Sequence, residues 1–122
     1  MILLDLFLYM KQINIKDIKE YTGQYFYFKQ ENIDTNSHII FKLISVNDDV
    51  ATIEHGYLFN IPKANWTAFL YTINNNQILL NTIQKIYVLS TDEYINTYRM
   101  FFKYDKCLSN QLPSKIIQDN II

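Results

Sequence analysis

Two histidines, one cysteine and five serines are the side chains from which nucleophilic or acid-base chemistry would have to be assembled. His38 and His55 have no partner at a fixed spacing, so each reads first as a structural histidine with its ring nitrogens satisfied by neighbours. Cys107 with a histidine would make a nucleophile and base. A lone cysteine without a local signature reads instead as a small buried hydrophobe. A zinc site needs three or four ligands, and His38, His55 and Cys107 give no such cluster, so no metal is expected. The adjacent carboxylates Asp48-Asp49 and Asp92-Glu93 have structural roles as a turn and a helix start, which leaves no independent pair for glycoside or metal chemistry. Gly23 and Gly56 are the only glycines, too few for a phosphate-cradling loop. The expectation is a protein that is not an enzyme and uses no cofactor. A small enzyme built on His55 or Cys107 with tyrosine hydroxyls is the alternative.

Aromatics are the surplus. Ten tyrosines, eight phenylalanines and Trp66 stand among 122 residues. That many tyrosine hydroxyls exceed what one core can satisfy, so several are expected at the surface, where Tyr and Trp anchor protein interfaces. For any single residue the plainer reading is mutational loading with the hydroxyl in water. Ile (19), Asn (13), Tyr (10) and Lys (10) are abundant, while Ala (3), Gly (2), Pro (2) and Arg (1) are scarce. The first group has A/T-rich codons, which points to an A/T-rich genome or to acquired DNA such as a phage or genomic island.

Ten lysines against one arginine, Arg99, disfavour nucleic-acid recognition, because the planar guanidinium fork is what grips phosphates and guanine edges. The lysines are scattered among 12 carboxylates and form no basic stripe. No direct nucleic-acid partner is expected. The run from Met1 to Met10 lacks a basic leading region, carries Asp5 and is too short to span a bilayer. It is expected to pack into the protein's own core, or in a minority reading to dock on a partner, in a cytoplasmic protein without a membrane role.

The elements that must position these residues follow from periodicity and punctuation. Leu3, Leu6, Phe7, Met10 and Ile13 recur at helical spacing and predict an amphipathic helix over 2–21, with Asn14 placed to cap a second segment. Gly23 ends it as a left-handed residue. Residues 24–29 read as a strand whose faces, Tyr25/Tyr27 and Phe26/Phe28, differ only by hydroxyls. Strands over 38–46 and 50–61 flank an Asn47-Asp48-Asp49 turn. Strict alternation on the second puts Ala51, Ile53, His55, Tyr57, Phe59 and Ile61 on one face, while Gly56 signals a bulge or close approach and Pro62 ends the ladder.

Residues 66–73 and 77–83 read as a second hairpin about Asn74-Asn75-Asn76. A short strand over 84–89 follows. Ser90 and Glu93 form a capping box for a helix to about Tyr104 with an apolar stripe of Ile95, Tyr98, Phe101 and Phe102. Leu112-Pro113 breaks the chain before a short apolar tail over 114–122. The sum is one domain over 1–122 of α+β class, an antiparallel sheet of about five strands built from consecutive hairpins with helices at both ends. A small SH3-like barrel over 22–90 is the alternative topology.

Size, absence of chemistry, aromatic surplus and island-like composition lead to a functional expectation resting on class-level analogy. The protein is expected to be a protein-binding inhibitor, foremost a bacterial immunity protein that occludes the active site of a cognate toxin domain, of the contact-dependent or secreted nuclease type. Asp48, Asp49, Glu54, Tyr57, Trp66 and Tyr71 are the expected partner-binding residues. A phage-encoded anti-defence protein, binding a host nuclease or a signal molecule, would share this composition.

Overall fold

The computed structural model describes residues 10–63 and 68–104. Trp66, Cys107, the 112–113 break, the apolar tail and most of the N-terminal run lie outside the described residues. Within them the chain forms strands β1 (Lys11–Ile13), β2 (Tyr25–Glu31), β3 (Thr35–Asn47), β4 (Val50–Pro62), β5 (Phe69–Thr72), β6 (Gln77–Leu79) and β7 (Ile86–Leu89). A 3-10 helix spans Ile15–Tyr21, and one α-helix, α1, spans Thr91–Tyr104. The class is mixed α+β, mostly sheet.

All seven strands belong to one antiparallel sheet in the order β1-β7-β2-β3-β4-β5, with β6 also paired to β4. The β2–β3 and β3–β4 connections are hairpins, as consecutive strands with intervening turn residues should be. The last strand departs from that plan. β7 comes back between β1 and β2, pairing Val88 with both Lys11 and Phe26. Among the described residues no pairing joins β1 to β5, so the strand order has two ends, as an open sheet does.

The expected N-terminal helix is replaced in part by strand. Lys11–Ile13 pairs with β7, and only Ile15–Tyr21 coils, as a 3-10 helix with Ile18 its buried residue. Met10 and Ile13 are buried as the spacing implies, yet pairing to the neighbouring strand β7 outweighs a weak local helical propensity. Asn14 caps that helix, its side-chain oxygen accepting from Lys16 N at 3.1 Å. Gly23 has φ +88° with open space where a Cβ would stand, so backbone conformation rather than crowding requires glycine there.

The sheet carries an apolar layer on each face. Phe26, Phe28, Ile39, Phe41, Leu43, Ile53, Leu58 and Ile86 lie on one, closed over by Ile18, Ile78 and Ile83. Tyr27, Ile40, Phe59 and Leu89 lie on the other, against Tyr94 and Phe101 of α1. The two faces of β2 are divided as its sequence implies, phenylalanines toward the first layer and tyrosines toward the helix, where polar partners are available for hydroxyls.

Helix α1 opens on the capping box. Glu93 N donates to Ser90 Oγ at 3.1 Å, and Ser90 N donates to Glu93 Oε1 at 2.8 Å. Its buried side is Tyr94, Thr97 and Phe101, with Phe101 stacked on Phe59 at 4.5 Å. The predicted stripe is thus rotated, since Ile95 is 38% exposed and Phe102 65% exposed. Tyrosine and threonine serve as inward residues because each hydroxyl has an acceptor: Thr97 Oγ1 donates to the Glu93 carbonyl at 2.7 Å, and Tyr94 Oη donates to the His55 carbonyl.

Candidate functional site

The site is organised by an irregularity in β4. From Thr35↔Pro62 to Ile40↔Tyr57 the β3–β4 ladder is regular, but the next pair is Lys42↔Glu54, so His55 and Gly56 together face Phe41. Two residues opposite one is a β-bulge, and His55 takes φ 53° within it. A second shift, at Ile44 on β3, restores the register by Ser45↔Thr52 and leaves Ile44 41% exposed.

An extra residue reverses inward and outward beyond it. Ala51 and Ile53 face the first apolar layer, and on the far side of the bulge that face continues with Leu58, while Tyr57, Phe59 and Ile61 turn toward α1. The unbroken alternation expected for β4 is therefore corrected by the bulge that Gly56 announced. Gly56 is also a point of close approach, because a Cβ there would lie 2.9 Å from Ile53 Cδ1 and 3.2 Å from Ile73 Cβ.

The Asn74-Asn75-Asn76 turn proves to be no hairpin. β5 and β6 do not pair with each other; both run along β4, and Tyr57↔Thr72 and Thr52↔Gln77 keep one register. Between them Ile73 N donates to Gly56 O and Ile53 N donates to Asn76 O, at 2.9 and 2.8 Å. Residues 69–79 are thus one strand path interrupted opposite the bulge. Asparagines suit that interruption as well as they suit a hairpin, which is why the sequence pattern misleads.

Around the bulge lies a charged and aromatic group. Tyr25, Lys42 and Glu54 stand side by side across β2, β3 and β4. Lys42 Nζ is 3.5 Å from Glu54 Oε1 and 6.0 Å from the centre of the Tyr25 ring. The His55 side chain is 60% exposed, its Nε2 3.9 Å from Glu54 Oε1. His55 thus leaves the apolar face on which alternation would put it. Tyr94 stacks on Tyr25 at 4.1 Å, Tyr57 meets Tyr98 at 4.6 Å, and Tyr98 meets Phe102 at 6.3 Å. Burial, followed by neighbouring tyrosines, pushes the Tyr94 hydroxyl well above the ordinary tyrosine range and raises Tyr57 in the same sense. Both therefore serve as neutral hydrogen-bonding groups rather than bases.

His38 is the buried histidine expected. Its Nδ1 is 2.6 Å from Tyr27 Oη, its ring lies between Tyr27 and Phe101, and burial lowers its pKa to about 4, with Lys29 a lesser cause. It is a neutral core residue at neutral pH.

Of the expected partner-binding residues, Asp48 and Asp49 form the exposed two-residue tip between Asn47 and Val50, with Asp48 at φ 53°. Glu54 is exposed and Tyr57 half-buried. All four lie on β4 or its turn. Tyr71 is 5% exposed and belongs to the first apolar layer, which keeps its ring from the surface. Trp66 is outside the described residues. Sequence reasoning missed Tyr25, Lys42, Tyr94 and Tyr98 as members of the group, since only strand register and helix docking bring them beside Glu54 and Tyr57. Among the described residues no group of three or more His, Cys, Asp or Glu side chains is placed to hold a metal ion.

No protein-family model matches the chain, and no curated protein or solved structure matches it. Among the described residues, no helix is long and apolar enough to cross a membrane.

Proposed function

We propose that the protein is a protein-binding inhibitor, an immunity protein that neutralises a cognate toxin domain by covering its active site. The observation that carries the reading is the run of β4: the carboxylates of Asp48 and Asp49 at the hairpin tip, then Glu54 and His55 at the bulge, then half-buried Tyr57 with its ring against Tyr98. An acidic tip suits a basic cleft built for phosphates, entering it in place of the substrate and guiding the encounter. The aromatic group behind it offers rigid contact area at low entropic cost. With a formal net charge of -1, any steering comes from that local tip rather than from the whole molecule.

The test is affinity purification of the tagged protein from its native host, followed by expression of the recovered stoichiometric partner alone and together with the protein. The proposal expects a partner toxic by itself and harmless in the complex. Recovery of no stoichiometric partner, together with small-molecule turnover abolished by His55→Ala, would replace it with the enzyme alternative.

A further inference from the structure

We propose that the outer side of α1 is a contact between two copies of this chain, its helices paired antiparallel about a two-fold axis near Tyr98. Of the four large hydrophobic side chains most exposed among the described residues, two, Ile95 and Phe102, are on this helix. They are seven residues apart and so lie on one side, with half-buried Tyr98 between them and stacked on Phe102. Ile33 and Ile44, the other two, stand singly at a turn and a bulge, where an isolated apolar residue calls for no partner.

Charge identifies a second copy as the occupant. Asp92, Asn96, Arg99 and Lys103 are all exposed and follow one another at three-to-four spacing along the flank of the apolar stripe. That flank is acidic in the first turn and basic toward the end. A two-fold axis perpendicular to the helix lays the flank against itself in reverse, so Asp92 of each copy comes to the Lys103 end of the other, while Arg99 lies near the axis. Ile95 then faces Phe102, and the two helix dipoles oppose. Parallel pairing would set like dipole ends together and leave the two charged flanks on opposite sides of the contact. The self-complementary pattern is that of an isologous dimer, in which one patch supplies both sides.

The experiment is sedimentation velocity of the full chain over a concentration series. A reversible monomer-dimer equilibrium is expected, weakened at least about tenfold by Phe102→Asp. Phe102 is 65% exposed, so the variant should keep its circular dichroism spectrum. Asp92→Lys should also weaken the dimer, and adding Lys103→Asp should restore it. Orientation is tested in a Cys107→Ser background. Arg99→Cys, near the axis, should form an oxidised dimer readily, and Asp92→Cys, far from it, should not. A monomer at every concentration, or a dimer indifferent to Phe102→Asp, overturns the proposal. Equal cross-linking at both positions overturns the antiparallel arrangement. The inhibitor reading is tested separately, by neutralisation of a partner, so its failure and that of the dimer are told apart.

Discussion

Gly56 and His38 show how much can depend on one side chain. At Gly56 an added methyl group would meet Ile53 and Ile73 at distances shorter than normal contact, and both neighbours are held in the sheet. Gly56→Ala should lower unfolding free energy by ~1–3 kcal/mol, measured by urea denaturation, the usual cost of overpacking a well-filled site. His38 makes a different prediction. Its pKa falls from an ordinary 6.5 to about 4 in the folded protein, so the unfolded chain binds the proton first as pH drops. Stability is then full above about pH 6.5 and declines toward pH 4, by on the order of 3 kcal/mol. His38→Gln keeps a group able to bond the Tyr27 hydroxyl but cannot titrate. The difference in stability between the two proteins should therefore change across that pH window; a constant difference would contradict the assignment.

At the scale of elements, the capping box was readable because it is a local device: Ser90 and Glu93 are three residues apart and their reciprocal bonds need nothing from the rest of the chain. Ser90→Ala removes the acceptor for Glu93 N and should cost ~1 kcal/mol in thermal or chemical unfolding, with the helix retained. The Asn14 cap, the Gly23 reversal and the Asp48-Asp49 turn were legible for the same reason. Elements defined by distant partners were not. Nothing local distinguishes a hairpin about Asn74-Asn75-Asn76 from a strand interrupted opposite a bulge, because both need a polar break between two apolar runs. Likewise, β1 is a strand because β7 is beside it, and the stripe of α1 is rotated because the sheet offers an acceptor for Tyr94 while Thr97 bonds back to the Glu93 carbonyl of its own helix.

The whole molecule brings the candidate site together. The β3–β4 hairpin delivers two carboxylates to its tip, and the bulge presents Glu54 and His55 where Tyr25, Tyr57, Tyr94 and Tyr98 converge. On the proposed function, Asp48→Lys with Asp49→Lys should slow association with the partner by ~10-fold or more at low salt. Added salt should narrow the gap, because exposed charges are screened. Stopped-flow binding at two ionic strengths checks this, and an unchanged association rate would remove the hairpin tip from the interface.

By itself the sequence determined what is carried by single residues and close neighbours: the scarcity of groups for catalysis, the caps and turns, the β2 faces of phenylalanine and tyrosine, and a signal at Gly56. Only tertiary structure decided the rest. Whether a strand alternates unbroken depends on the residue count of its partner, so the reversal of faces along β4 could not be read from β4 alone. Whether an aromatic is buried depends on what covers it, so Tyr71 became core and Phe102 became surface. The abundance of tyrosine was plain in the chain, but its arrangement around one bulge is a property of the assembled sheet and helix.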